Sequence, residues 1–146
     1  MELFQVAKSY SFSDVQVVVG GLRIAGYDEG GGISIDFGGD IASMKQGADG
    51  EVTVSKQVLP PAVATITLME TSNSNLALHG LLVAQREAPA GFILPFAMVD
   101  LTTGESLLSG QCVFLNLPGM NKQREAGSRE WKLGLPTYVA AYAGTL

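Results

Sequence analysis

Alternation of apolar and polar side chains with a period of two recurs along this chain, and no other feature restricts its fold as much. The clearest cases are residues 33–37, 62–70 and 131–135, and Val15–Val19 adds a run rich in β-branched valine. Successive side chains of a strand point to opposite faces, so each segment predicts a strand with one buried face. The 18 glycines suit the turns between strands better than helices. The pattern therefore predicts a mainly β fold.

One helix is predicted over residues 75–86. Its apolar side chains recur at helical spacing and form one stripe, Leu78, Leu81 and Leu82. Three polar residues near its start can cap the first turn by accepting a backbone N–H bond, Ser72, Asn73 and Ser74. Residues 88–91 contain a proline and a glycine and are predicted to end the helix.

The remaining segments are assigned by composition. Residues 96–117 are predicted to form one hairpin that turns at 100–104. Residues 38–58 are rich in glycine and charge, and they are predicted to form a long loop or an extended hairpin. The segment 119–130 is polar and is predicted to be a loop. The end, 137–146, is apolar for a terminus and is predicted to dock on another surface.

No internal repeat or shift in composition divides the chain, so residues 1–146 are predicted to be one domain. Charged residues make up only 16% of it and apolar residues 47%. About a quarter charged is usual for a soluble domain, so part of this surface is expected to be sticky or covered by neighbours. The net charge of −5 argues against a phosphate-binding surface, which needs clustered Lys and Arg.

The residue types that carry catalysis or metal binding are scarce. His79 is the single histidine and Cys112 the single cysteine, and a Cys–His nucleophile needs both in one cleft with an orienting partner. A zinc site needs about four ligands, and the spacings of calcium and phosphate loops are absent. We therefore predict a chain that is not an enzyme and takes no cofactor or metal, with His79 on the helix surface and Cys112 buried.

The sequence also lacks the segments that direct a chain to a membrane. No stretch approaches the ~20 apolar residues of a membrane-spanning helix, and residues 1–10 lack the basic and apolar regions of a signal peptide. We expect no membrane insertion. A single cysteine permits no internal disulfide, which is compatible with assembly in a reducing cytoplasm.

Three motifs occur in a fixed order along the chain. Residues 47–55 read GADGEVTVS, residues 65–68 read TITL, and residues 72–75 read SNSN. In this order and spacing they resemble the tail tube proteins of contractile-tailed bacteriophages (myoviruses), which share a GxDGxxxxS loop, a TITL strand and an S-x-S-N helix cap. Asp100, Gly104 and Trp131 also occupy positions typical of that family. The resemblance covers residues 15–135.

The resemblance implies two packed antiparallel β-sheets flanked by one α-helix, a tail-tube-like sandwich or barrel. It implies hexameric rings stacked into the inner tube of a contractile tail, with the inner sheets joined into one ring barrel. The implied partners are further copies of the chain, the tail sheath protein, and the baseplate and tail terminator proteins. Double-stranded DNA would cross the lumen during ejection without specific binding. The protein would belong to the virion and assemble in the host bacterial cytoplasm.

Two sets of residues are candidates for this assembly. The 38–58 loop is predicted to contact the next ring through Gly47, Asp49, Gly50 and Glu51. Bases that bunch later in the chain are its candidate partners, Lys122, Arg124 and Arg129. Ser34 and Asp36, on the polar face of a strand, are candidates to line the lumen, because acids repel DNA phosphates and recur in every subunit. An ordinary outer-surface position is an equal alternative for Asp36.

Other functions stay open. A tube protein of a bacterial contractile injection system would share the fold and the ring but carry protein cargo. A small ligand-binding β-barrel domain would be a monomer or dimer with a concave pocket, and the scarcity of charge and the apolar C-terminal segment argue against it. The motifs do not separate a main tube subunit from a tube-capping or baseplate-proximal relative.

Overall fold

The computed structural model describes residues 11–88 and 93–142. In chain order the strands are β1 (Val15–Val19), β2 (Leu22–Arg23), β3 (Ile33–Asp36), β4 (Ala42–Gln46), β5 (Val52–Lys56), β6 (Ala62–Met69), β7 (Phe96–Asp100), β8 (Ser106–Ser109), β9 (Val113–Phe114), β10 (Ser128–Leu135) and β11 (Val139–Ala141). A 3₁₀ turn, Phe12–Asp14, precedes β1, and one α-helix, α1 (Asn73–Glu87), lies between β6 and β7. The mainly β prediction with one helix is confirmed.

The strands form two larger antiparallel sheets and one separate hairpin. The first sheet has the order β11-β8-β7-β1-β2, the second has the order β3-β6-β10-β9, and β4 pairs with β5 alone. The turn between β1 and β2 is Gly20-Gly21, with φ of 58° and 85°. A two-residue hairpin turn of this hand needs positive φ at both positions, which glycine adopts without strain.

The second sheet is built around β6 and β10, which pair over their whole length from Ala62↔Leu135 to Met69↔Ser128. Alternate side chains of both strands are buried, Ala62, Ala64, Ile66, Leu68, Trp131, Leu133 and Leu135. The inward faces predicted from the alternating pattern are therefore correct.

The start of α1 is tied to the segment that follows β2. Ser72 is the cap: its Oγ accepts the N–H of Ser74 at 3.2 Å and donates to the carbonyl of Ala25 at 2.6 Å. Gly26 is required beside it, because its φ is 78° and a side chain there would meet Ser72 Oγ at 2.4 Å. The predicted leucine stripe packs against the core, Leu78, Leu81 and Leu82. The helix begins two residues earlier and ends one residue later than predicted.

The prediction of one hairpin over residues 96–117 is right only for its first half. β7 and β8 pair as a hairpin, and the N–H of Gly104 closes the turn on the carbonyl of Asp100 at 2.8 Å. The returning arm ends with β8, however, and β9 belongs to the second sheet, where it pairs with β10.

Side-chain and backbone contacts form after β8, where the chain crosses. Ser109 is buried, and its Oγ donates to the carbonyl of Gln111 at 2.7 Å. The N–H of Cys112 then bonds to the carbonyl of Leu94 at 2.8 Å. One of these bonds is local and the other joins residues 18 positions apart. They accompany the passage of the chain from one sheet to the other, and no periodicity in the sequence reports them.

The C-terminal segment pairs in part with its own chain, because β11 adds to the edge of the first sheet beside β8. Tyr138 donates its hydroxyl to the carbonyl of Pro60 at 3.1 Å. The last residues of the predicted docking tail, 143–146, lie outside the described residues, as do residues 1–10 and most of the predicted helix terminator, 89–91. In the described ranges no helix has the length and apolar character that crossing a bilayer requires.

Candidate functional site

The connection from β3 to β6 forms an extended hairpin, β4–β5. All five residues of each strand are exposed, and within the described residues these strands pair only with each other. Of the two forms expected for residues 38–58, the structure has the extended hairpin.

The two faces of the β4–β5 hairpin differ in polarity. Met44 pairs with Val54, and with Val52 they give one face an apolar strip whose side chains are 77%, 56% and 54% exposed, respectively. The register also places Gln46 and Lys56 on this face, at its two ends. The other face carries polar and charged side chains, Ser43, Lys45, Thr53 and Ser55. An exposed apolar strip of this kind marks a surface that another molecule covers.

The tip of the hairpin contains the four residues predicted to reach the next ring. The N–H of Gly47 donates to the carbonyl of Glu51 at 2.7 Å, and the N–H of Gly50 donates to the carbonyl of Gly47 at 3.0 Å. Asp49 Oδ1 accepts the N–H of Glu51 at 3.1 Å, and Gly50 has a φ of 90°, which favours glycine. Gly47, Asp49 and Gly50 therefore shape the turn, and the side chains of Asp49 and Glu51 are exposed on it.

The outer side of the second sheet holds the predicted lumen residues. Ser34 and Asp36 are exposed there. Ser34 lies beside Thr65 and Thr65 beside Lys132, so a polar row crosses three strands. Lys132 Nζ lies 3.6 Å from Glu130 Oε1, so the charge of this lysine is balanced by a glutamate on the same face. Asp36 Oδ1 accepts the N–H of Gly38 and caps the turn after β3. We name this surface the polar sheet face, formed by Ser34, Asp36, Thr65, Glu130 and Lys132.

The outer side of the first sheet carries an apolar row, which ends beside the exposed Arg23 that pairs with Val18. A cross-strand row runs from Val18 through Ala97 and Leu108 to Val139, and the last two side chains are exposed. Such a row is unfavourable next to water or a polyanion. Of the two outer sheet surfaces, the polar sheet face is the one with the chemistry of a channel wall.

The candidate partners of the hairpin tip converge on a carboxylate of their own chain. Lys122 Nζ lies 2.6 Å from Glu70 Oε1, and Arg129 Nη2 lies 3.7 Å from the same oxygen. The N–H of Gly127 donates to Glu70 Oε2 at 3.2 Å. The bond from Lys122, followed by that from Gly127, lowers the pKa of the Glu70 carboxyl. Arg124 is exposed in the same loop, and within the described residues it has no ion-pair partner.

A buried amide links α1 to the second sheet just beside Glu70. Asn75 Nδ2 donates to the carbonyl of Met69 at 2.8 Å, and Asn75 Oδ1 accepts the indole N–H of Trp131 at 2.9 Å. Both side chains are buried, so each polar atom is satisfied inside the protein. This contact holds the first turn of the helix against β6 and β10.

The two edges of the second sheet differ in how they are covered. Among the described residues no strand lies beside the outer edge of β3. At β9, the N–H of Phe114 donates to Gln85 Oε1 at 3.0 Å, and Gln85 Nε2 donates to the carbonyl of Cys112 at 2.8 Å. The helix side chain thus occupies the backbone groups of β9, a device that limits strand pairing, whereas β3 stays available.

The two residues considered for nucleophilic chemistry are separated in the structure. His79 is exposed on α1, and Cys112 is fully buried, where burial raises the pKa of its thiol to about 12. Within residues 11–88 and 93–142, no group of three or more His, Cys, Asp or Glu side chains has the arrangement of a metal site.

Sequence reasoning assigned no role to two of the connecting side chains, Glu70 and Gln85. It placed Asn75 on the polar side of the helix, opposite the leucine stripe, whereas the structure buries it with Leu78 and Leu82. Asn75 had a usable signal, because it is the last residue of the SNSN cap motif. Glu70 had none, because its partner Lys122 is 52 positions away. Pairing over that distance depends on where β6 and the loop before β10 meet.

The sequence matches the model of a protein family described as the bacteriophage PhiTE tail tube protein, over residues 7–138. The matched range includes the β4–β5 hairpin, the polar sheet face and the Glu70 cluster. No curated protein matches the sequence.

Solved structures from contractile injection systems share the fold. The tube-terminating cap of the anti-feeding prophage superposes with a TM-score of 0.61 at 11% identity, over 97% of both chains. The sheath/tube terminator of an extracellular contractile injection system, PVC, gives 0.63 at 11% identity, over 94% of this chain and 99% of that one. A chain of its sheath–tube complex gives 0.59 at 9% identity, over 88% of both. At these identities the likeness shows the fold alone.

Proposed function

The chain belongs to the bacteriophage PhiTE tail tube protein family, and we propose that its copies form hexameric rings that stack into the inner tube of a contractile phage tail. Tail tube proteins are structural and non-enzymatic. The observation that carries the proposal is the apolar face of the β4–β5 hairpin, which no described residue of its own chain covers. A free subunit leaves this face in water, and assembly buries it.

Within a ring, the second sheets of neighbouring subunits join edge to edge into one continuous barrel. The open edge of β3 supports one side of this contact, because the unpaired N–H and C=O groups of an edge strand are a template for another chain. The other side is the β9 edge, where Gln85 would have to release the N–H of Phe114 on joining. Closure into a barrel removes such edges altogether.

In this barrel the polar sheet face lines the lumen. Its lysine is already paired with Glu130, so Asp36 sets a negative net charge for the face of each subunit. Every subunit of every ring repeats that charge, and like charge keeps DNA phosphates from binding the wall. DNA can then slide through without specific contacts.

Rings stack through the β4–β5 hairpin. Its tip presents Asp49 and Glu51, and the bases near β10 of the adjoining ring are the candidate partners, Lys122, Arg124 and Arg129. Exposed pairs of this kind contribute about 0.2–1 kcal/mol each, so they orient the contact while the apolar face supplies most of the free energy.

The tube has further partners in the tail. The sheath protein surrounds it, the baseplate proteins nucleate it, and the terminator protein ends it, while double-stranded DNA passes through during ejection. The chain assembles in the host bacterial cytoplasm, becomes part of the virion and does not insert into a membrane.

A second candidate function is a tube protein of a bacterial contractile injection system, because the similar solved structures come from such systems. Both functions need the same rings, and they differ in cargo. Electron microscopy of particles purified from producing cells separates them: tails attached to DNA-filled capsids support the phage function, and headless sheathed particles support the injection system.

The first experiment is to purify the chain at low concentration, concentrate it, and follow assembly by light scattering and negative-stain electron microscopy. We expect sixfold rings or hollow tubes. A chain that stays monomeric at high concentration and also after addition of purified baseplates would overturn the tube proposal. Binding of small molecules by that monomer would then favour a ligand-binding domain.

A further inference from the structure

A groove lies between the first half of α1 and the segment that precedes β10. Its volume is about 330 Å³, and its apolar lining includes Leu76, Leu117, Met120 and Trp131. Leu76 and Met120 are 79% and 76% exposed. Solvent-exposed side chains of this size on both walls indicate a surface that is completed by another molecule.

The rim of this groove is basic in an otherwise acidic protein. Arg129 and Glu70 are part of the lining, and Lys122 binds Glu70 from the loop above. Lys122 and Arg129 against Glu70 leave one net positive charge at this rim. Arg124 and Glu125 of the same loop balance each other, whereas the whole chain has a net charge of −5. Lys122 is 73% exposed, and an ammonium group with three donors can bind a second carboxylate without leaving the first.

The β4–β5 hairpin has the complementary composition. Its tip carries Asp49 and Glu51, and the apolar face begins at the next residue, Val52, and continues with Val54 and Met44. An acidic tip followed by an apolar strip matches a basic rim followed by an apolar groove. Opposite charges would set the orientation of such a contact, and apolar burial would hold it.

The hairpin and the groove lie at opposite ends of β6. The hairpin enters β6 at Ala62, and the groove begins where β6 ends, at Glu70. The seven steps between the eight residues of β6, at about 3.3 Å each, separate the two ends of the strand by roughly 23 Å. Among the described residues, none of the hairpin lines the groove. Two complementary surfaces at opposite ends allow copies to associate head to tail. Such a contact can repeat indefinitely along one axis and gives an open stack.

We propose that the groove between α1 and the loop before β10 is the acceptor site for the β4–β5 hairpin of a second copy of this chain in the adjoining ring. The inference rests on the proposed tube function and specifies its ring-to-ring contact. Met44, Val52 and Val54 of one copy lie against Leu76, Leu117 and Met120 of the next, and Asp49 and Glu51 meet the basic rim.

A second apolar groove lies at the base of the hairpin and serves as the competing site. It has a volume of about 430 Å³, its lining includes Phe37, Leu59, Tyr138 and Val139, and no charged side chain lines it. Its described lining has no cation that could pair with an acidic tip, and it lies at the same end of the molecule as the hairpin. A head-to-tail contact therefore uses the first groove.

Cysteine cross-linking in assembled tubes tests the acceptor site. The variant Val52→Cys with Met120→Cys places one thiol on the apolar hairpin face and one in the groove. A disulfide needs Cα atoms about 4.4–6.8 Å apart, and only a link between chains adds to a ladder, because a link within one chain leaves the monomer band. Mild oxidation is followed by electrophoresis without reductant. Cys112 is kept, because it is fully buried.

Two matched variants control the experiment. Thr53→Cys with Met120→Cys moves the hairpin thiol to the polar face, and Val52→Cys with Val139→Cys moves the acceptor thiol to the competing groove. We expect most of the first variant to shift from the monomer band into a ladder of linked chains, and both controls to stay largely monomeric.

The outcomes separate the inference from the proposed function. Tubes that form normally but give a ladder only with Val139→Cys, or with none of the variants, overturn the acceptor site and leave the tube function standing. A parent chain that forms no tubes, alone or on baseplates, overturns the tube function and the acceptor site with it.

Discussion

Asn75 shows how one side chain holds three elements together. Its amide joins the start of α1 to the end of β6 through the carbonyl of Met69, and to β10 through the indole N–H of Trp131. The amide is among the few polar groups buried in the described residues. The indole N–H that it accepts is on the buried Trp131, so its loss leaves an unpaired polar atom in the core.

We therefore expect Asn75→Ala to lower the free energy of unfolding by about 2–4 kcal/mol, since it leaves the Trp131 donor buried and unpaired. Urea unfolding followed by Trp131 fluorescence measures the loss. The control is Asn73→Ala, an exposed position in the same turn, for which we expect a change within about 0.5 kcal/mol. Equal losses in the two variants would show that the buried network does not stabilise the fold.

Glu70 makes stability depend on pH. Its pKa in the folded chain lies below the ordinary value of 4.5, so folding favours the charged form. The stabilisation is present above pH 4.5 and is lost as the pH falls through the lowered pKa of the folded state, because protonation ends the bonds to Lys122 and Gly127.

Replacing Glu70 by Gln should flatten the fall in melting temperature as the pH drops below 4.5. Lys122→Met removes the main partner and should flatten the same range, whereas Lys56→Met, at an exposed lysine of the hairpin, should leave the slope unchanged. Thermal unfolding across this pH range gives the three slopes. A Glu70→Gln slope as steep as that of the parent would refute the role of this carboxylate.

Among the elements, the β4–β5 hairpin contributes little to the subunit that carries it. Its strands are exposed on both faces, and in the described residues they pair with no other strand. An isolated two-stranded hairpin is marginally stable in water. The proposed stacking of rings accounts for its length and its exposed apolar side chains.

The double variant Met44→Gln and Val54→Thr should leave the stability of the monomer within about 0.5 kcal/mol of the parent, because both side chains are exposed. The yield of sedimentable tubes should fall strongly, since the apolar strip is lost. Chemical denaturation and pelleting assays measure the two effects. Lys45→Gln with Ser55→Thr changes the polar face to a similar extent and should keep the tube yield. A full yield from the first variant would rule out the apolar face as the contact.

Across the whole molecule, the surfaces are sorted by chemistry. The second sheet turns polar side chains outward, the first sheet turns apolar side chains outward, and the hairpin and the basic-rimmed groove lie at opposite ends of β6. A monomer in water has no use for this separation. In the proposed stack of rings the separation matters, because the lumen wall, the ring-to-ring contacts and the outer surface each face different surroundings.

If the polar sheet face lines the lumen, Ser34→Lys cancels the net negative charge of that face. Tubes should then retain more duplex DNA at low salt than the parent does, and added salt should release it. We chose Ser34 because Asp36 also caps the turn after β3. Glu87→Gln changes the net charge by the same amount on α1 and should retain no more than the parent. Gel filtration of tubes with labelled DNA measures retention. Identical behaviour of both variants would place Ser34 outside the lumen.

The sequence by itself determined the elements that depend on near neighbours. Alternating side chains identified β3, β6 and β10 and their buried faces, because a strand's faces follow from its own period. The leucine stripe and the cap at Ser72 located α1 to within two residues, since capping involves residues close in sequence. The motifs of the hairpin, the TITL strand and the helix cap were enough to indicate the family.

Only the tertiary structure decided which distant backbones and side chains meet. The arm after β8 was expected to continue its hairpin, but β9 joins the second sheet, because strand pairing depends on which edge the chain reaches. Lys122 and Arg129 were expected to face another subunit, and the fold also brings both to Glu70. The groove exists because the start of α1 and the end of the loop before β10 lie beside the same strand, β6. Tertiary packing sets this proximity, and no local sequence pattern reports it.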